Sequence, residues 1–181
     1  MIEPHVMSTD VPSKASEESL RRTIQGLTEQ HTSAVIEVYT SSGDTFVRIE
    51  KEALVDVCRW LRDEHHFVYL ADIVGTDRFT ADERFEVIYN LLNLKNQSRL
   101  FVKVRCDEDA PSVESVTEIW PGANWKEREV YDMFGIRFDH HPDLRRMYLP
   151  EDFAYYPLRK EFPLLGVPGS IPLPNTTPDA D

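Results

Sequence analysis

The run Asp139, His140, His141, Pro142, Asp143 gathers side chains that bind metal ions. Two histidines flanked by carboxylates could hold zinc and activate a water for hydrolysis. The spacing works against it, because neighbouring residues of an extended segment point to opposite sides. His65 and His66 share that defect. The competing reading has His141 capping the turn at Pro142 while the acids pair with arginines. Acid–base chemistry by paired carboxylates is also conceivable, at Glu127 with Glu129 or at Glu151 with Asp152. Each pair adjoins an arginine or a helix start, which favours ionised, structural carboxylates. No G-x-S-x-G elbow, P-loop or G-x-G-x-x-G occurs in the chain, and no nucleophile stands out. Gly75 and Gly122 are isolated and read as turns.

A third chemistry is recognition. The 44 residues from Trp120 to Pro163 hold eight acids, seven bases and ten of the nineteen aromatic residues. The rest of the chain carries 24 acids against 13 bases, so the net charge of -12 coats the body and spares this stretch. Such acidity argues against a nucleic-acid partner, which wants a basic face. Trp, Tyr and Arg dominate protein interfaces, and a proline-stiffened segment loses little entropy on docking. The alternative is that Trp125, Tyr131 and Phe134 simply close the domain's own core.

The elements that must position these groups are legible in outline. The N-terminus has no secretory apolar core and no Arg-rich transit character, so the chain reads as made and kept in a bacterial cytoplasm. No apolar run is long enough to cross a membrane. Residues 1–14 read as a disordered tail, followed by an α+β domain over 15–138 and an extended docking segment with its tail over 139–181. A helix is expected from Ser16 as N-cap, with Leu20, Ile24 and Leu27 on one stripe. "SAVIEVYT" and "TFVRIE" flank "SSGD" as a hairpin, and "KEALVDVCRWLRDEHH" is an amphipathic helix. Three strand-like runs, "FVYLADIVGTD", "ERFEVIYNLLNL" and "RLFVKVRC", follow, and "SVESVTEIW" suits one more short strand. This order predicts a mixed, mainly antiparallel sheet with helices on one face, then an extended Pro-rich C-terminal segment. A last helix is expected from Asn124 to Phe134, opened by an Asn124/Glu127 capping box and closed by Gly135. "HPDLRRM" and "LPEDF" suit short helical turns begun by proline. Cys58 and Cys106 are too few for an ordinary iron–sulfur cluster, and Cys58 reads as a small buried side chain.

The order E-R-E, an acid, two apolar residues, then His, a basic residue and two apolar residues is met by Glu127, Arg128, Glu129, Asp132, Met133, Phe134, His141, Arg145, Met147 and Tyr148. With "PEDF" and "PLRKEFP" beyond it, this stretch resembles the thirty-kilodalton subunit family, the C subunit of proton-translocating NADH:quinone oxidoreductase, respiratory complex I. Phe153 stands where many relatives carry Trp. The resemblance implies a cofactor-free structural subunit of the hydrophilic arm, on the cytoplasmic side of the bacterial plasma membrane and peripheral to it. It implies docking on the quinone-site (D) subunit, near the iron–sulfur (B and I) subunits, in support of electron transfer from NADH to quinone. FMN, iron–sulfur clusters, NADH and quinone then belong to the assembly and not to this chain. The implied interface residues are Glu127, Arg128, Glu129, Tyr131, Asp132, Phe134, His141, Pro142, Arg145, Arg146, Tyr148, Glu151, Asp152, Arg159 and Lys160. Competing readings are the equivalent subunit of a membrane-bound hydrogenase or formate-oxidising complex, and a free-standing metal-dependent hydrolase.

Overall fold

The computed structural model describes residues 14–80, 82–164 and 166. The expected N-terminal tail and the Pro-rich end of the chain fall almost wholly outside them. Helix α1 spans Lys14–Gln30, so it begins before Ser16. Ser16 is a buried position of the first turn, not the N-cap. Strands β1 (Val35–Ser41) and β2 (Asp44–Ile49) form the expected hairpin. Its two central residues, Ser42 and Gly43, have φ of 52° and 88°, the double left-handed geometry that matches strand twist in a two-residue loop.

A 3-10 turn over Lys51–Ala53 leads into α2 (Leu54–Asp63), which buries Leu54, Val57, Cys58 and Leu61 on one stripe, as its spacing dictates. Strands β3 (Tyr69–Asp77), β4 (Phe85–Asn93) and β5 (Ser98–Cys106) then form an antiparallel meander. The five-stranded order is β1-β2-β5-β4-β3, with β2 and β5 parallel and every other pair antiparallel. The sheet is therefore mixed, and the fold is α+β as the element order predicts.

Alternation decides which face is core. Phe85, Val87, Tyr89 and Leu91 of β4 are fully buried, beside Leu100, Val102 and Val104 of β5. Helices α1 and α3 pack on this side, against β5 and β3. The opposite face seals itself with long side chains. Tyr39, Phe46 and Phe101 stack in a ladder with centroids 5.1 and 4.8 Å apart. Lys103 and Arg105 both reach Glu86 at 2.8 Å, over that ladder's flank.

"SVESVTEIW" yields only a three-residue strand, β6 (Ser112–Glu114). It pairs in parallel with β7 (Arg137–Asp139), which sequence periodicity did not reveal. Three residues are too few to show a period of two. Helix α3 (Ala123–Phe134) lies between them in the chain. Trp120 fixes its approach by donating from Nε1 to the Phe67 carbonyl at 3.2 Å. Beyond residue 139 the described residues form turns and bends only; "LPEDF" closes one turn, with the Phe153 N–H donated to the Pro150 carbonyl at 3.1 Å, and neither it nor "HPDLRRM" extends into a helix.

Gly75 is not a turn. It sits inside β3, and a Cβ there would lie 2.7 Å from Phe134 and 2.9 Å from Val130 of α3. Only a bare backbone allows α3 so close to the sheet.

Candidate docking site

Helix α3 closes as expected: Gly135 has φ 72° and donates its N–H to the Tyr131 carbonyl at 2.8 Å. Its start differs. The N-cap is Gly122, with no side-chain cap, and the capping box does not form. Glu127 turns the other way, into the core. One carboxylate oxygen accepts the Val116 N–H at 2.7 Å and the other the Ser115 hydroxyl at 2.7 Å. At 0% exposure, burial pushes this carboxyl up to about 7 against those two hydrogen bonds. A long-range demand outweighed the local one, because an unpaired buried amide costs more than a solvated helix end.

The His141 ring lies beside that carboxylate, with Nε2 3.9 Å from it and its side chain fully buried. The Asp143 N–H donates to Nδ1 at 3.0 Å, so the proton sits on Nε2 and is donated to the Asn124 carbonyl at 3.2 Å. The expected turn cap is thus present. Burial lowers the pKa of this ring, which suits the neutral form that both bonds require. His140 points away, exposed, with Nδ1 2.7 Å from Glu114. The two histidines therefore do not share a centre. Among the described residues no three His, Cys, Asp or Glu side chains gather as a metal site.

Asp132 is the second anchor. One oxygen accepts the backbone N–H groups of Met147, Tyr148 and Leu149 at 3.0, 2.7 and 3.1 Å. Arg146 reaches the other at 2.8 Å. Burial alone would raise this carboxyl, but the three amides and the guanidinium outweigh it and hold it below its ordinary range. Arg128 completes the clasp, donating to the carbonyls of Arg145 and Arg146 and lying 4.9 Å over the Trp125 ring. Three of the four charges of the E-R-E-x-x-D motif thus hold the chain's own loops: Glu127 the loop before the helix, Arg128 and Asp132 the ribbon after it.

The ribbon's far end is stapled too. Arg159 donates to the Phe134 carbonyl at the end of α3, and the Leu158 N–H to the Met133 carbonyl. Asp77 accepts the Lys160 N–H at 2.8 Å and is held at about 2, chiefly by Arg84. Arg84, only 4% exposed, also reaches Glu108 and Glu161. No sequence signal announces this network, whose members lie 7, 24 and 77 residues from Arg84.

The proposed interface set therefore divides. Glu127, Arg128, Asp132, Phe134 and the His141 ring are buried inside the chain, Phe134 against Gly75. Tyr131, Arg146 and Arg159 are half-buried. Glu129, Pro142, Arg145, Tyr148, Glu151, Asp152 and Lys160 face outward. So do Trp125, Tyr155 and Leu158. Phe153, Tyr155 and Phe162 form a ring triangle with centroids 5.7 to 6.4 Å apart.

Fold and site together define an α+β scaffold that clamps a charged, aromatic ribbon on its surface. The sequence signature of the "Respiratory-chain NADH dehydrogenase, 30 Kd subunit" family matches residues 47–167, and the chain belongs to that family. It is similar to the C subunit of NADH-quinone oxidoreductase from Roseiflexus sp. strain RS-1, 49% identical over 67% of this chain and 71% of that one. The C subunit of the Erythrobacter litoralis enzyme is 42% identical over 86% of this chain, which spans only 60% of that protein. Among solved structures, the trypsin-resistant fragment (1–134) of Nqo5 superposes with TM-score 0.62 at 34% identity, over 70% of this chain and 99% of the fragment. A polypeptide of an archaeal membrane-bound sulfane sulfur reductase shares the fold, with TM-score 0.68 at 24% identity over 80% of this chain and 86% of that one. No helix of the described residues is long and apolar enough to cross a membrane.

Proposed function

We propose that this chain is a structural C subunit of NADH:quinone oxidoreductase that holds no cofactor and does no chemistry itself. It docks on the quinone-site (D) subunit, near the iron–sulfur (B and I) subunits. The setting is the hydrophilic arm, on the cytoplasmic side of a bacterial membrane. FMN, iron–sulfur clusters, NADH and quinone are handled by the neighbouring chains, whose electron transfer this subunit supports by holding them in place. The observation that carries the reading is the stapled ribbon. Asp132, Arg128 and Arg159 hold an irregular segment rigid, so Arg145, Tyr148, Glu151, Asp152 and Lys160 stand outward already ordered. Preorganisation lowers the entropic cost of association, and Arg and Tyr are the residues that most often carry it.

The test is affinity purification of the tagged full chain from its native membrane. Arg145→Ala and Tyr148→Ala should each weaken co-purification of a quinone-site subunit by roughly 2 kcal/mol or more, some tenfold or greater in recovery at limiting concentration. Neither substitution touches a buried contact, so the melting temperature of the isolated chain should hold. Full recovery of an intact assembly with both variants would count against the assignment. The fold shared with the sulfane sulfur reductase polypeptide favours a second reading, the same module in a membrane complex with another electron acceptor. Co-purifying subunits distinguish the two.

A further inference from the structure

The ribbon does not lie flush on the scaffold everywhere. Between β3, α3 and the ribbon is a notch of about 150 Å³, walled by Val74, Met133, Phe134 and Leu158 and rimmed by Asp72 and Glu129. We infer that this notch is a specificity pocket of the docking surface. It takes one aliphatic side chain of a partner subunit, with an arginine or lysine beside that side chain meeting Glu129.

Size sets the occupant. Small-molecule sites run to roughly 300–1,000 Å³, about two to seven times this recess. The space suits one side chain, the scale on which interface anchors are seated. The walls set its chemistry. Leu158 is 53% exposed on the outer wall and becomes buried once the notch is filled. The geometry is built rather than incidental. Gly75 lets α3 approach, and the Leu158 N–H bond to Met133 fixes the outer wall. Such a wall needs no ordering when a partner arrives.

The rim sets the charge. Asp72 already accepts Lys126 at 2.9 Å and the Ile73 N–H at 3.0 Å. Glu129 is exposed and makes no ion pair or hydrogen bond among the described residues. It is therefore the charge left to a partner, and the complement is a cation. The tied Ile73 amide also disfavours a strand added along β3, so a side chain enters rather than a backbone. A second copy of this chain is a poor occupant, since two bodies of net charge -12 repel.

This inference rests on the docking reading above, and the experiment separates their failures. Leu158→Asp and Glu129→Lys are made in the tagged full chain and compared with Arg145→Ala and Tyr148→Ala. Each notch variant should lower recovery of the partner subunit tenfold or more. Their melting temperatures should be unchanged, because both side chains are exposed. A photo-crosslinking residue at position 158 should join, in the purified assembly, a partner peptide with an aliphatic residue next to Arg or Lys. If the Arg145 and Tyr148 variants lose the partner while the notch variants keep it, the notch inference fails and the docking reading stands. A crosslink to a peptide lacking that pair, or to a second copy of this chain, also overturns the notch. If all four variants keep an intact assembly, both ideas fall.

Discussion

Glu127 shows what a motif residue does once its partners are known. Its carboxylate closes two bonds across the loop at Ser115 and Val116, in a site with no cation but a neutral imidazole nearby. The proton balance follows from its position. Folded, the group titrates at about 7; unfolded, near its usual 4.5. Between those values the folded chain keeps a proton that the unfolded chain has released. Stability therefore falls as pH rises from about 4.5 to about 7 and is level above that. Gln at 127 can accept the Val116 N–H and donate to the Ser115 hydroxyl. Glu127→Gln should remove this part of the slope and stabilise the chain above pH 7 by on the order of 2 kcal/mol. Urea denaturation of both proteins at pH 5 and pH 8 measures it, and a variant less stable at pH 8 would contradict the assigned ionisation. The presence of Glu127 in the chain was plain from the motif, but its role was not. A Glu three residues into a helix with Asn before it is also what a capping box looks like.

At the level of elements, the packing of α3 on β3 is the contact that seats the ribbon. It depends on one missing Cβ. Placing a methyl group at position 75 drives it into Phe134 and Val130, on a strand that cannot yield without breaking its pairing to β4. Gly75→Ala should cost about 1–3 kcal/mol and lower the melting temperature by several degrees. It should also loosen the ribbon at Leu158, read as faster amide exchange there. Unchanged exchange at 158 would show that ribbon and helix are not coupled. The strands and α2 were legible because alternation and helical stripes are local signals, as at Phe85, Val87, Tyr89 and Leu91. Gly75 read as a turn for the same reason: a glycine carries no side chain to report what presses on it. Strand β6 falls in a run expected to be a short strand, but β7 and its pairing with β6 escaped because β7 is short and its partner lies far along the chain.

Over the whole molecule, Arg84 ties together parts that regular structure leaves separate. It links the end of β3 at Asp77, the loop after β5 at Glu108 and the ribbon at Glu161. The segment from 139 onward is therefore continuous with the α+β domain as far as it is described, through these contacts and the Asp132 clasp. Arg84→Ala leaves Asp77, whose side chain is 1% exposed, without its main counter-charge. Removing one partner of a buried pair typically costs about 3–5 kcal/mol. Asp77 is held at about 2 in the fold, so its contribution is present above its usual 3.8 and lost as pH falls toward 2. In the variant that contribution shrinks, and the acid-unfolding midpoint should rise. An unshifted midpoint in a circular-dichroism acid titration would show that the network is dispensable.

The amino-acid order alone determined the α+β class, the hairpin, the amphipathic stripe of α2, the Gly135 helix end and the family resemblance. Each rests on residues close in the chain, where backbone geometry and periodicity speak directly. Only the tertiary structure decided which charges of the motif face inward and which face outward. An arginine beside an aromatic ring reads the same in sequence whether it grips its own loop or a neighbour. The difference lies in carbonyls and amides far along the chain, and it is folding that brings them within bonding distance.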